Sequence, residues 1–161
     1  MMDMFAAMIG KPISEETLEP VLVSFYNYSK GLTATDMLMT EFALNKFRRN
    51  FGTFFEQYDL LLTPTLVKVP EPIGTYTKMR NDIDYVGYMR LCDEVRIHPP
   101  AANVTGQPAI SLPLGQSRSG LPIGVQFMAR FGEESTLIRL ASLLEKELPW
   151  RDRIPPTHVS R

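Results

Sequence analysis

One cysteine, two histidines and no charge excess are what this 161-residue sequence offers, and each shortage excludes something. A lone thiol, Cys92, cannot close an intramolecular disulfide, which suits a reducing compartment and makes a cytoplasmic setting the expectation. His98 and His158 are too few to organise a metal site, and no His/Cys/Asp/Glu group recurs at ligand spacing, so no metal is expected. The 17 basic and 18 acidic side chains leave a net charge of -1. With no basic run longer than Arg48-Arg49, nucleic acid is not an expected partner. The opening segment 1–9 is apolar apart from Asp3, yet it is too short to span a bilayer and lacks a basic leading region or a cleavage pattern, so neither membrane nor secretion is indicated. Glycine patterns are missing as well. Neither GxGxxG nor GxxxxGK[ST] occurs, so no nucleotide, and no cofactor of any kind, is expected. There is no GxSxG and not one Gly-Gly or Gly-Ser pair to expose a serine nucleophile.

What is present is 44% apolar residues and 13 prolines. A chain of this length supports one real core, hence one domain or part of one. Only Pro12 and Pro20 precede Thr63, so 1–58 should be mainly helical, 59–129 should carry strands and loops, 133–148 a helix, and 149–161 a tail. The first helix should end at Gly10, ahead of Pro12. Ser14 can cap a second, with Ile13 and Leu18 as a hydrophobic staple, and Val21–Lys30 reads as a short helix closed by Gly31. Thr33 and Asp36 form a capping-box pattern, with Leu32 and Met37 as staple, that starts a helix over 34–57. Its stripe Leu44, Phe47, Phe51, Phe54 and Tyr58 reads as core.

The three leucines of 59–63 suggest a strand covered on both faces. A long connection runs from Pro64 to about Asn81, after which Asp82 can cap a helix with Tyr85, Met89, Cys92 and Val95 on its apolar side. There Cys92 reads as an inert thiol. Strands at 109–114 and 123–129 form a hairpin around Ser119-Gly120, with Ile123, Val125, Phe127 and Ala129 on one face. Leu137, Leu140, Ala141 and Leu144 mark the buried side of the last helix. Ser111, inside a strand, reads as a packed or hydrogen-bonded hydroxyl rather than a nucleophile.

One stretch is distinctive: Asn103-Val104-Thr105-Gly106-Gln107-Pro108-Ala109-Ile110-Ser111-Leu112-Pro113-Leu114-Gly115, then Gly120-Leu121-Pro122-Ile123-Gly124-Val125-Gln126. It closely resembles the C-terminal part of the amidase signature family, an N-x-T-G-Q-P-A-x-S-x-P loop and strand followed by a G-L-P-x-G-V-Q strand. The likeness continues upstream through 58–65 and downstream through 130–137, to Pro149-Trp150 and Pro155-Pro156. Ala102, where the family often has an aromatic residue, and the lead-in Arg96-Ile97-His98-Pro99-Pro100 depart from the pattern.

The resemblance implies an α/β fold with a mixed β-sheet flanked by α-helices, of which this chain is the C-terminal part. It implies a hydrolase that cleaves non-peptide C–N (amide) bonds by acylating a serine, with a second serine and a lysine relaying the proton. Those three groups lie upstream in the family, in a glycine- and serine-rich region that no position here matches. No residue of this chain is therefore expected to be catalytic, and the chain alone should be inactive.

The implied partners are a small-molecule amide substrate and the N-terminal portion of the same domain; without that portion, uncovered apolar faces should drive association into a homo-oligomer. Thr63, Thr65, Asn103 and Thr105, polar groups at strand ends and in the signature loop, are the substrate-pocket candidates. Local backbone capping by the same four groups is the alternative. Two further readings stand beside the hydrolase: a stand-alone binding or assembly module derived from the fold, and a relative of amidotransferase subunits.

Overall fold

In the computed structural model, which describes residues 2–76, 82–155 and 157, the chain forms six helices and three strands. These are α1 (Met2–Ile9), α2 (Pro20–Lys30), α3 (Ala34–Gln57), β1 (Leu60–Pro64), α4 (Tyr85–Asp93), α5 (Pro99–Thr105), β2 (Ala109–Gln116), β3 (Pro122–Ala129) and α6 (Glu134–Glu147). The expected α/β class is the one observed. Residues 77–81 of the long connection, and Pro156 and His158 of the tail, lie outside the described residues.

The contacts divide the chain into two compact units. One comprises the chain up to Ala43 together with Pro70–Val95; the other comprises Leu44–Val69 and everything from Arg96 on.

In the first unit, α1 ends where Gly10 takes φ +65, the left-handed geometry that lets Lys11 N–H reach Ala6 O at 3.2 Å. The helix expected at Ser14 is a single turn. Its backbone bonds run from Thr17 and Leu18 to Ser14 O, and Pro20, which lacks an N–H, begins α2 immediately afterwards. Gly31 closes α2 as expected, but in right-handed geometry (φ -81), so no left-handed cap is needed. Against α2 packs α4: Tyr85 N–H donates to Ser24 Oγ at 2.9 Å, and the Tyr85 ring lies 4.7 Å from Phe25 and 5.3 Å from Tyr28. The cap of α4 is Asp84 rather than Asp82, since Asp84 has extended backbone and accepts from Gly87 N–H at 2.8 Å. Cys92 sits on α4 half-buried, with a free thiol.

The capping box of α3 is present in full. Asp36 accepts from the Thr33 hydroxyl at 2.6 Å and from Thr33 N–H at 2.8 Å, while Thr33 Oγ1 accepts from Asp36 N–H at 3.2 Å. Leu32 and Met37, the staple pair beside it, are both exposed. The two bonds from Thr33, the hydroxyl's first, hold the Asp36 carboxyl below its ordinary value of 3.8. It is the ionised form that is bound. Its support for α3 should therefore be complete above the ordinary carboxylate range and fade as pH falls through the lowered folded value. Asp36→Asn should flatten this part of the acid-unfolding curve, as followed by circular dichroism from pH 7 down to pH 2.

In the second unit β3 is the central strand of an antiparallel sheet in the order β1-β3-β2. The expected hairpin is there, turned through Ser117–Leu121 with Gly120 at φ +84. Pro113 falls where the register slips between Leu112 and Gly115, a bulge that accommodates a residue unable to donate to the ladder. Leu112, Phe127, Ala129 and Leu137 form the core, with Leu140, Ala141, Leu144 and Trp150 packed around them. All four expected residues of α6 thus lie on its buried side, and Trp150 ties the start of the tail to the core.

Two expectations, for β1 and for the stripe of α3, are corrected here, and the reading of β3 is extended. β1, which pairs only with β3 among the described residues, is not covered on both faces, since Leu62 is 62% exposed and Leu60 and Leu61 are only half-buried. β3, being central, is buried on both faces at its end: Gln126, Phe127, Met128 and Ala129 are all buried. Finally, the fully buried aromatic of α3 is Phe55, outside the expected stripe, whereas Phe47 and Tyr58 are exposed. The stripe residues still stack along the helix, with Phe47–Phe51 at 4.8 Å and Phe54–Tyr58 at 4.7 Å. What singles out Phe55 is the chain around it. Its carbonyl, in the last turn of α3, accepts from Arg130 Nε at 3.2 Å and Nη2 at 2.6 Å. That guanidinium neutralises a free helix-end carbonyl just after β3.

Candidate functional site

Because side chains alternate along a strand, packing Val125, Phe127 and Ala129 toward α6 puts Gly124, Gln126 and Met128 on the second face of the sheet. The register places Thr63 directly opposite Gln126 and Gln126 directly opposite Ser111. Three polar side chains therefore cross all three strands in one row, with Cβ atoms of neighbours about 4.5–5.5 Å apart.

Next to this row the ladder extends one step past β1, Thr65 N–H donating to Gly124 O at 2.9 Å. Thr65 and Ser111 then face each other across Gly124, and their hydroxyl oxygens are 2.5 Å apart. Glycine is required between them. A Cβ at position 124 would stand 2.8 Å from Thr65 Oγ1, closer than real Cβ atoms come, and 3.0 Å from Ser111 Oγ, tighter than nearly all of their contacts.

The row carries no titratable group, and two of its buried atoms, Thr63 Oγ1 and Gln126 Nε2, have no hydrogen-bond partner among the described residues. Gln126 is 5% exposed. A buried, unpaired donor costs about 1–3 kcal/mol, so such atoms are kept where something else makes use of them.

Of the four sequence candidates, Thr63 and Thr65 belong to this site. Asn103 and Thr105 do not lie in a loop but on α5, which Pro99 and Pro100 open, since a first-turn residue needs no N–H, and Gly106 closes at φ +79. Asn103 is exposed there, and the Thr105 hydroxyl donates to Ala101 O at 2.7 Å. Arg48 Nε also holds α5, donating to Val104 O at 2.9 Å.

Two members of the row escaped the sequence reading as site residues, Gln126 and Ser111. Both lie in the signature stretch, but what brings them together is hairpin register, which depends on the bulge at Pro113. Among the described residues no group of three or more His, Cys, Asp or Glu side chains could hold a metal ion, and no helix is long and apolar enough to cross a membrane.

An antiparallel sheet backed by α6, with a polar second face, is an architecture that comparison can place. Residues 1–138 match the Amidase family, and the chain belongs to that family of amidase-signature hydrolases. Among individual proteins it is 46% identical over 108 residues to a putative amidase AmiC of Mycobacterium leprae, covering 66% of this chain and 22% of that protein. It is 31% identical over 152 residues to the 6-aminohexanoate-cyclic-dimer hydrolase of a Pseudomonas species, covering 92% and 31%. A solved structure of 6-aminohexanoate cyclic dimer hydrolase superposes with a TM-score of 0.76 at 29% identity, over 94% of this chain and 32% of that one. The chain thus spans about a third or less of the length of these relatives.

Proposed function

We propose that this chain is the C-terminal portion of a single amidase-signature domain that hydrolyses non-peptide C–N bonds of a small amide through an acyl-serine. The chain supplies scaffold and pocket wall, and the acylated serine with its serine–lysine relay comes from the rest of the domain. The observation that carries this reading is the superposition of nearly the whole chain on about one third of 6-aminohexanoate cyclic dimer hydrolase.

The state of Ser111 agrees with it. Its hydroxyl is hydrogen-bonded to Thr65, another hydroxyl, which has no basicity with which to take its proton. In this reading Thr63, Thr65, Asn103 and Thr105 all contribute to the pocket wall, the first two from the end of β1 and the last two from α5.

The test uses the purified chain, a fluorophosphonate serine probe and a chromogenic anilide. No adduct and no anilide hydrolysis above buffer are expected, with Ser111→Ala indistinguishable from the unsubstituted chain. An adduct mapped to Ser111 by mass spectrometry, or hydrolysis abolished by Ser111→Ala, would overturn the assignment.

A further inference from the structure

Every residue of α3 from Ala34 to Ala43 is exposed. That half of the helix is nevertheless apolar. Met37, Leu38, Met39 and Phe42 are between 61% and 71% exposed, and Glu41 is the one charged residue from Met37 to Ala43. The Thr33/Asp36 box holds the first turn, but most helical stability in proteins comes from packing an apolar face rather than from caps.

The width of the face says what packs on it. Successive helix residues are turned by about 100°, so Met37, Leu38 and Met39 spread over about 200° of the circumference. Phe42 falls between Leu38 and Met39, and Asp36 and Thr40 lie on the opposite side. A surface helix buries a stripe of about 100°, and a two-helix seam a narrower one. A second copy of this chain, bringing the same helix across a two-fold axis, would cover one such stripe and leave the rest in water. A helix apolar over about twice that width belongs inside a larger core.

The size of the relatives agrees with such a core. The match to the Pseudomonas 6-aminohexanoate-cyclic-dimer hydrolase takes in 92% of this chain, α3 included, but only 31% of that protein, so most of a domain of that kind lies outside the match.

We infer that Met37, Leu38, Met39 and Phe42 insert into an apolar cleft formed by the upstream portion of the same amidase domain. The first half of α3 is then the element by which the two portions are held together. The inference rests on reading this chain as one portion of that domain, and it names the surface that the other portion covers.

The test pairs the whole chain with a partner, so that neither has to fold alone. The chain is co-expressed with the portion of the Pseudomonas hydrolase outside the match, with the photo-cross-linker p-benzoylphenylalanine in place of Phe42, and adducts are mapped by mass spectrometry. A cross-link to the hydrolase portion is the expected result. Leu38→Asp combined with Phe42→Asp should lower recovery of the complex about tenfold or more, because two charges would enter the cleft, whereas Ser119→Asp in the exposed hairpin turn should leave recovery unchanged. A cross-link to a second copy of this chain, no cross-link, undiminished recovery with the double change, or an equal loss from Ser119→Asp would each overturn the inference. Labelling of Ser111 by the serine probe would sink the scaffold reading and leave the cross-link standing, whereas a complex that forms without contact at position 42 would sink only this inference.

Discussion

Phe55→Ala should destabilise the chain by about 3–5 kcal/mol, whereas Phe47→Ala, eight residues earlier on the same helix, should cost about 1 kcal/mol or less. Phe55 is 1% exposed, and its ring lies 5.2 Å from that of Phe54 and 6.5 Å from that of Phe51. Truncation there opens a cavity that its neighbours can fill only in part, and the lost contacts add to the lost transfer energy. Phe47 keeps 38% of its surface exposed, so water already occupies much of the space its ring would vacate. Urea titrations should show the midpoint falling sharply for Phe55→Ala and barely for Phe47→Ala, with similar slopes. Equal losses would mean that the stripe, and not the single buried ring, is the core of α3.

Gly124→Ala is expected to cost about 1–3 kcal/mol through overpacking, in addition to weakening the Thr65–Ser111 hydrogen bond, itself worth about 1 kcal/mol. The new methyl would meet Thr65 at Oγ1 and at Cβ (3.1 Å) as well as Ser111 Oγ, all close to the backbone and unable to swing far. Because the clash has named partners, it should show coupling. Thr65→Ala in the same chain should recover part of the loss, making the double variant more stable than the sum of the single changes predicts. Strict additivity in a double-mutant cycle would show that the backbone yields instead and that the glycine does not make room for the hydroxyl pair.

The elements most legible in the sequence were those whose signals are local. The Thr33/Asp36 box and the apolar period set α3 at Ala34–Gln57, and the box is observed bond for bond. The hairpin was legible from its alternation and from Ser119-Gly120, and the buried side of α6 from four residues at helical spacing. The misreadings share a cause. Asp82 and Asp84 offer the same cap chemistry two residues apart, and only the path of the backbone chose Asp84. At 99–105 two prolines read as punctuation, yet at the first turn of a helix a missing N–H costs nothing, so they begin α5.

The site divides along the same line. Thr63 and Thr65 were recognisable as polar groups at a strand end, and Ser111 and Gln126 as members of the signature stretch. That Thr63, Gln126 and Ser111 form one row depends on β3 lying between β1 and β2, a pairing that joins residues 63, 126 and 111.

By itself the sequence determined the class of this protein, its family resemblance, the absence of a charge excess and of any catalytic motif, and the elements whose caps and periods lie within a few residues. Tertiary structure alone decided which strand is central, which aromatic is buried, and that a glycine lets two hydroxyls meet across it. The physical reason is range: caps, turns and periodicity are interactions between neighbours in the chain, whereas burial and cross-strand contact are properties of neighbours in space.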